Sequence, residues 1–218
     1  MAHETDESLG TFEALRESGV VAVMRGGDPD TVIDTVDALV AGGVTAIEIT
    51  ADTDGASDLI AEVNASVPEA VVGAGTVLDS ETARACLLAG AEFVVSPSLH
   101  ADVIETANRY GALVAPGIMT PTEAIRGYEA GADLVKVFPA STLGPGHLSS
   151  MKGPLGQIPM MPTGGVDLDN VADFVEAGAV CVGAGSSLVD YDAVERGDPE
   201  SITETAREFR ERIEAARE

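Results

Sequence analysis

The stretch Ala130-Gly131-Ala132-Asp133-Leu134-Val135-Lys136-Val137-Phe138-Pro139 contains the pattern of the whole chain. An alanine–glycine pair closes a helix, a continuous apolar run follows, and a proline stops it. The same exit recurs at Ala41-Gly42-Gly43, Ala89-Gly90-Ala91 and Ala177-Gly178-Ala179. Glycine just past a helix adopts the left-handed conformation that ends it. With Leu134–Pro139, the apolar runs Val20–Met24, Thr45–Thr50, Ala70–Val77, Phe93–Pro97, Ala112–Pro116, Met160–Thr163 and Val180–Gly183 make eight. Runs without alternation fit strands buried on both faces. Their alternation with helix-compatible segments indicates βαβ units and a parallel sheet.

Helix starts are legible as well. Asp28-Pro29, Asp79-Ser80-Glu81 and Thr120-Pro121-Thr122-Glu123 each place a cap or a proline at a first turn. Eight units of roughly 20–25 residues predict a (β/α)8 TIM barrel. Thr11–Ser18 is expected as an extra N-terminal helix covering the barrel's bottom, residues 1–10 as a flexible acidic tail, and Glu195–Glu218 as a charged final helix. The 218 residues suit a single barrel domain, 1–218. The rival is an open doubly wound sheet, weakened by the lack of a GxGxxG after the first strand.

Composition narrows the function. Acidic residues number 37 against 12 basic ones, a formal net charge of -25, and only Lys136 and Lys152 are lysines. That surface repels phosphate backbones and argues against nucleic acid as a partner. Carboxylates spread over several helices and both ends are the pattern expected of a protein built for concentrated salt, where self-repulsion is screened. Cys86 and Cys181 stand far apart in apolar stretches, with no metal-ligand spacing, so buried free thiols and no metal site are expected. The polar start MAHETDESLG does not read as a signal peptide, and no apolar run approaches the ~18 residues of a membrane span. A cytoplasmic protein without membrane contact is the expectation.

In a barrel, chemistry belongs where strands end and the following loops begin. Arg25, Glu48, Thr76, Pro97, Lys136, Thr163-Gly164-Gly165 and Gly185-Ser186 fall there, one group per strand except the fifth, which ends in Pro116-Gly117. Lys136 is the sharpest signal. An ammonium between valines in a buried strand is costly, and such a site offers the neutral amine as a nucleophile. A structural ion pair in the core is the alternative. Glu48, within Ala46-Ile47-Glu48-Ile49-Thr50, is placed to move protons beside that lysine, to pair with it, or both. The glycine-rich ends of strands seven and eight sit where barrels often hold a phosphate on backbone N–H groups. His100 and His147 fall in loops and His3 in the tail; none is given a role.

Together the stretches Gly42–Thr50, Val72–Leu78, Val95–Pro97, Val114–Gly117, Val135–Ala140 and Pro162–Val166 resemble the 2-keto-3-deoxy-6-phosphogluconate (KDPG) aldolase family, including its phosphogalactonate (KDPGal) branch. The likeness runs in order from about Gly19 to Leu188. It implies a class I aldolase, usually a homotrimer, that splits a phosphorylated sugar acid into pyruvate and glyceraldehyde 3-phosphate. It also implies no dissociable cofactor, because a lysine imine serves as the electron sink. By this resemblance Lys136 forms the Schiff base and Glu48 is the general acid/base. Thr76 helps hold the pyruvate carboxylate, and Thr163, Gly164, Gly165 and Ser186 hold hydroxyls and phosphate. One position departs from the pattern: Asp52 stands where many phosphogluconate aldolases carry an arginine, four residues after the glutamate. Met24-Arg25-Gly26 resembles the stretch by which the galactonate branch supplies its arginine from strand one, so carboxylate binding is assigned to Arg25. Thr163 points the other way, since that branch tends to have valine there. A phosphate-binding synthase or epimerase barrel and a non-catalytic binder remain as alternatives.

Overall fold

The structure is a computed structural model that describes residues 6–26, 29–190, 192–193 and 196–218. Among them the strands are β1 (Val20–Met24), β2 (Ala46–Thr50), β3 (Val71–Gly75), β4 (Phe93–Val95), β5 (Leu113–Ala115, resuming at Gly117–Ile118), β6 (Val135–Val137), β7 (Met160–Pro162) and β8 (Val182–Ala184). All pairings are parallel. One ladder runs β5-β4-β3-β2-β1-β8 and a second joins the resumed β5 to β6 and β7. The ladders are divided at Pro116, which has no N–H to give, though its carbonyl accepts from Lys136 N at 2.9 Å. The remaining joint is a parallel bridge between Thr163 and Gly183. The sheet thereby closes on itself as the expected barrel.

Helices cover its outside: α1 (Asp6–Ser18), α2 (Pro29–Ala41), α3 (Ala56–Ser66), α4 (Ser80–Leu88), α5 (Ala101–Arg109), α6 (Pro121–Glu129), α7 (Ala140–Lys152), α8 (Val171–Glu176) and α9 (Pro199–Arg217). Two of the expected starts are true caps. Asp79 accepts from Thr82 N at the head of α4, and Thr120 with Glu123 forms a capping box on α6. The cap expected at Asp28 lies outside the described residues. The helix exits at Gly43, Gly90, Gly131 and Gly178 all have positive φ, as their sequence pattern implies.

Alternation along the strands sorts the core into two layers. Val21, Ala46, Phe93, Val95, Leu134 and Met161 belong to a cluster inside the barrel. Val20, Ala22, Ile47, Ile49, Val94 and Val135 belong to the larger cluster between barrel and helices. Side chains therefore fill the interior as in other barrels, and the site sits on this packed floor. Leu15 of α1 joins the interior cluster and plugs the bottom.

Three expectations need correction. Helix α1 begins at Asp6 rather than Thr11, so residues 6–10 are helix and not flexible tail; residues 1–5 lie outside the described residues. Ser8, Thr11, Leu15 and Ser18 are buried at helical spacing, and this inward stripe consists mostly of small polar residues that a hydrophobic pattern does not reveal. The final helix starts at Pro199; Glu195 is outside the described residues, and Gly197, at positive φ, precedes the helix. Strand eight also begins at Val182 rather than Val180.

Candidate active site

At the C-terminal ends of the strands lies a cavity of about 510 Å³ lined by Arg25, Thr76, Pro97, Lys136, Thr163, Gly164, Gly165, Gly185 and Ser186. Every expected site residue except Glu48 is in that lining. Glu48 lies beside it, wholly buried, with Oε1 3.7 Å from Lys136 Nζ. Neither Glu48 oxygen has a hydrogen-bond partner among the described residues. A buried carboxylate normally collects several donors. Here its nearest basic group is the Lys136 amine.

Strand geometry explains the pairing. Glu48 on β2 is opposite Gly73 of β3, and Lys136 on β6 is opposite Met161 of β7 and Gly117 of the resumed β5. Both side chains point inward. Gly75 makes the room: a Cβ there would stand 2.0 Å from Glu48 Oε1. The Phe138 ring lies beneath the amine, its centroid 5.3 Å from Nζ. The other lysine is at the opposite end of the barrel. Lys152 donates to Gly156 O at 3.3 Å and Ile158 O at 3.2 Å, and partial burial lowers its affinity for the proton.

Arg25 reaches over the mouth from the end of β1. It pairs with Asp52 through Nη1 and donates from Nη2 to Thr76 Oγ1 at 2.9 Å. Thr76 is the one non-glycine residue with positive φ among those described, at 55°. That backbone is uncommon for a threonine and holds its hydroxyl toward Arg25.

On the far side, Thr163, Gly164 and Gly165 follow β7. Gly164 and Gly165 have φ of 89° and 81°, and a Cβ on Gly165 would meet Ser141 Cβ at 2.5 Å. Only glycine fits this close turn. Ser187 Oγ donates to Val166 O at 2.6 Å, tying the loop after β8 to the loop after β7. The result is a rim of backbone without a cationic side chain among the described residues.

Val23, Phe138, Val166, Asp167 and Ser187 also line the cavity and were not singled out in the sequence. Val166 and Ser187 directly follow residues that were, Phe138 is two past Lys136, and strand-end position alone could have found them. Asp167 accepts from Asp169 N and Asn170 N at 3.0 and 3.1 Å, so its carboxylate shapes its own turn. The thiols are not rivals to Lys136 as nucleophiles. Cys86 and Cys181 are free and buried, and burial pushes Cys181 up to about 12 and raises Cys86 as well. No group of three or more His, Cys, Asp or Glu among the described residues is placed to hold a metal ion.

Residues 12–205 match the family model for KDPG and KHG aldolase. The chain belongs to this aldolase family. The 2-dehydro-3-deoxy-phosphogluconate aldolase of Pseudoalteromonas atlantica is 34% identical over 92% of this chain and 94% of its own length. The 2-dehydro-3-deoxy-6-phosphogalactonate aldolase of Escherichia coli is 37% identical over 78% of this chain and 83% of its own. Among solved structures, the KDPG aldolase of Legionella pneumophila superposes with a TM-score of 0.84 at 26% identity, covering 90% of this chain and 96% of that one. That structure holds pyruvate captured at low pH as a covalent carbinolamine intermediate. The chain is thus a carbon–carbon lyase of the aldolase type with a TIM-like barrel, as the sequence resemblance implied.

Proposed function

We propose that this aldolase cleaves 2-dehydro-3-deoxy-6-phosphogluconate into pyruvate and D-glyceraldehyde 3-phosphate, the retro-aldol step of the Entner–Doudoroff route, through an imine on Lys136. The observation that carries the reading is the buried Lys136 amine, 3.7 Å from an otherwise unpartnered Glu48, on the floor of the cavity.

The amine attacks the C2 ketone and water leaves, giving an iminium that draws electrons from the chain beyond it. The C4 hydroxyl loses its proton, the C3–C4 bond breaks, and its electron pair forms the enamine. The aldehyde departs. C3 then takes a proton and water hydrolyses the imine to pyruvate and free amine. Glu48, through a water in the cavity, accepts and returns these protons. The iminium performs the polarising work a metal would otherwise do, so the route calls for no cofactor. Arg25 and Thr76 hold the carboxylate. Gly164, Gly165, Gly185 and Ser186 offer backbone N–H groups to the phosphate, with Thr163 and Pro97 shaping the wall between.

Borohydride reduction with pyruvate should add mass at Lys136 alone. An adduct at Lys152, or none, overturns the reading. Lys136→Arg should lose nearly all activity, whereas a barrel without imine chemistry would tolerate it.

The phosphogalactonate epimer is a second reading, supported by Arg25 on β1 and by Asp52 at the position where an arginine is more usual. Pyruvate release measured on both epimers in high salt separates the two. We further take residues 1–218 as one barrel domain and infer a cytoplasmic homotrimer in a salt-rich cell. The family resemblance supports the trimer, and the acidic composition supports the salt-rich setting.

A further inference from the structure

Two loops at the mouth are stitched together by adjacent residues. Asp52 pairs with Arg25, while Thr53 Oγ1 accepts from Gly26 N at 3.0 Å and lies 3.1 Å from Thr50 Oγ1. One short stretch after β2 thus holds both the side chain of Arg25 and the backbone beside it. The Arg25 side chain is 58% exposed, and an arginine so open to water samples many rotamers unless it is gripped. It is gripped at both terminal nitrogens, by Asp52 at Nη1 and Thr76 at Nη2. A guanidinium carries five donors, so an edge remains free for a ligand.

We propose that Asp52 is a positioning residue, fixing the Arg25 guanidinium so that its free N–H edge meets the carboxylate of a 2-keto acid. The chain then does not lack the carboxylate grip that an arginine at position 52 would provide. The cation stands on β1, and position 52 carries an orienting anion. The inference rests on the reading of Arg25 as the carboxylate anchor. An ordered anchor grips the carboxylate alike in the bound substrate and in the transition state, so its loss falls on KM rather than kcat.

The test uses the full chain and pyruvate as probe. Half-saturation of borohydride trapping is measured for Arg25→Ala, Asp52→Ala, Asp52→Asn and the double variant, with KM and kcat for cleavage. Asp52 is exposed, so its variants are expected to fold. Asp52→Ala should raise half-saturation about fivefold, equivalent to about 1 kcal/mol. Asp52→Asn keeps an accepting oxygen and should recover most of that. In the Arg25→Ala background, Asp52→Ala should add nothing. Wild-type or tighter pyruvate binding by Asp52→Ala, or an equal loss in both backgrounds, overturns the proposal. If Arg25→Ala itself leaves half-saturation unchanged, the reading of Arg25 falls, and this inference with it.

Discussion

Lys136 Nζ and Glu48 Oε1 stand 3.7 Å apart across the barrel interior, too far for a hydrogen bond and close enough to share a proton through a small shift or a water. Glu48→Gln keeps the shape and removes the base. The expected outcome is a fall in kcat of about 10²–10⁴, while pyruvate adducts still form on Lys136, only more slowly. Thermal unfolding should show lower stability, because Lys136 loses its buried counter-charge 3.7 Å away. A Glu48→Gln enzyme with wild-type kcat would remove Glu48 from the mechanism.

Gly75 has no substitute. Its Cβ would overlap Glu48 Oε1, with no room to retreat in a fully buried position. Gly75→Ala should reduce activity more than tenfold and lower stability by about 1–3 kcal/mol, the usual range for overpacking. Denaturant unfolding and a cleavage assay read the two effects. Gly55→Ala is the control: no atom lies within 4 Å of a Cβ there, so its only penalty is the positive φ.

Ser187 holds the two glycine-rich loops together through Val166 O. Ser187→Ala should loosen the rim and raise KM for the phosphorylated substrate roughly three- to tenfold, the worth of about one hydrogen bond. Half-saturation for pyruvate, which has no phosphate, should stay within twofold. Equal losses on both ligands would show that the rim is not the phosphate site.

Acid should unfold the chain in part by uncapping α4 and α6. Asp79 is held below its ordinary 3.8, first by the Thr82 backbone N–H, and Glu123 below its ordinary 4.5, first by the Met119 backbone N–H. A carboxyl whose folded affinity for protons is depressed contributes stability above its unfolded value, and loses it as pH falls through the folded one. Both groups are half-buried at the surface, so solvent partly screens the effect. Asp79→Ala and Glu123→Ala should each lower stability near neutrality by roughly 0.5–1 kcal/mol and flatten the loss below the ordinary range, seen in melts from pH 7 downward.

Much of this was legible in the sequence, for physical reasons. Short continuous apolar runs fit doubly buried strands, and eight of them leave few folds. Lys136 and Glu48 were visible because a charge in such a run is anomalous. The extent of α1 was hidden because Ser8 and Thr11 are buried yet polar. The Asp52–Arg25 pair and the Ser187 tie were hidden because each joins loops of different strands, and loop-to-loop contacts leave no periodic trace. The break in α7, where Gly144 leaves helical geometry before Pro145, has by contrast a local cause, since a glycine–proline pair is itself a helix breaker.

The position of the two lysines has a practical consequence. One is at the base of the cavity and the other is folded over two carbonyls at the closed end. Amine-directed reagents usually scatter over a protein's surface; here they meet only the α-amine, the half-buried Lys152 and Lys136, and a carboxylate on the reagent steers it to the last. A carboxylate-bearing acylating label therefore becomes an active-site titrant. Counting labels per molecule measures what fraction of a preparation is competent, without a turnover assay.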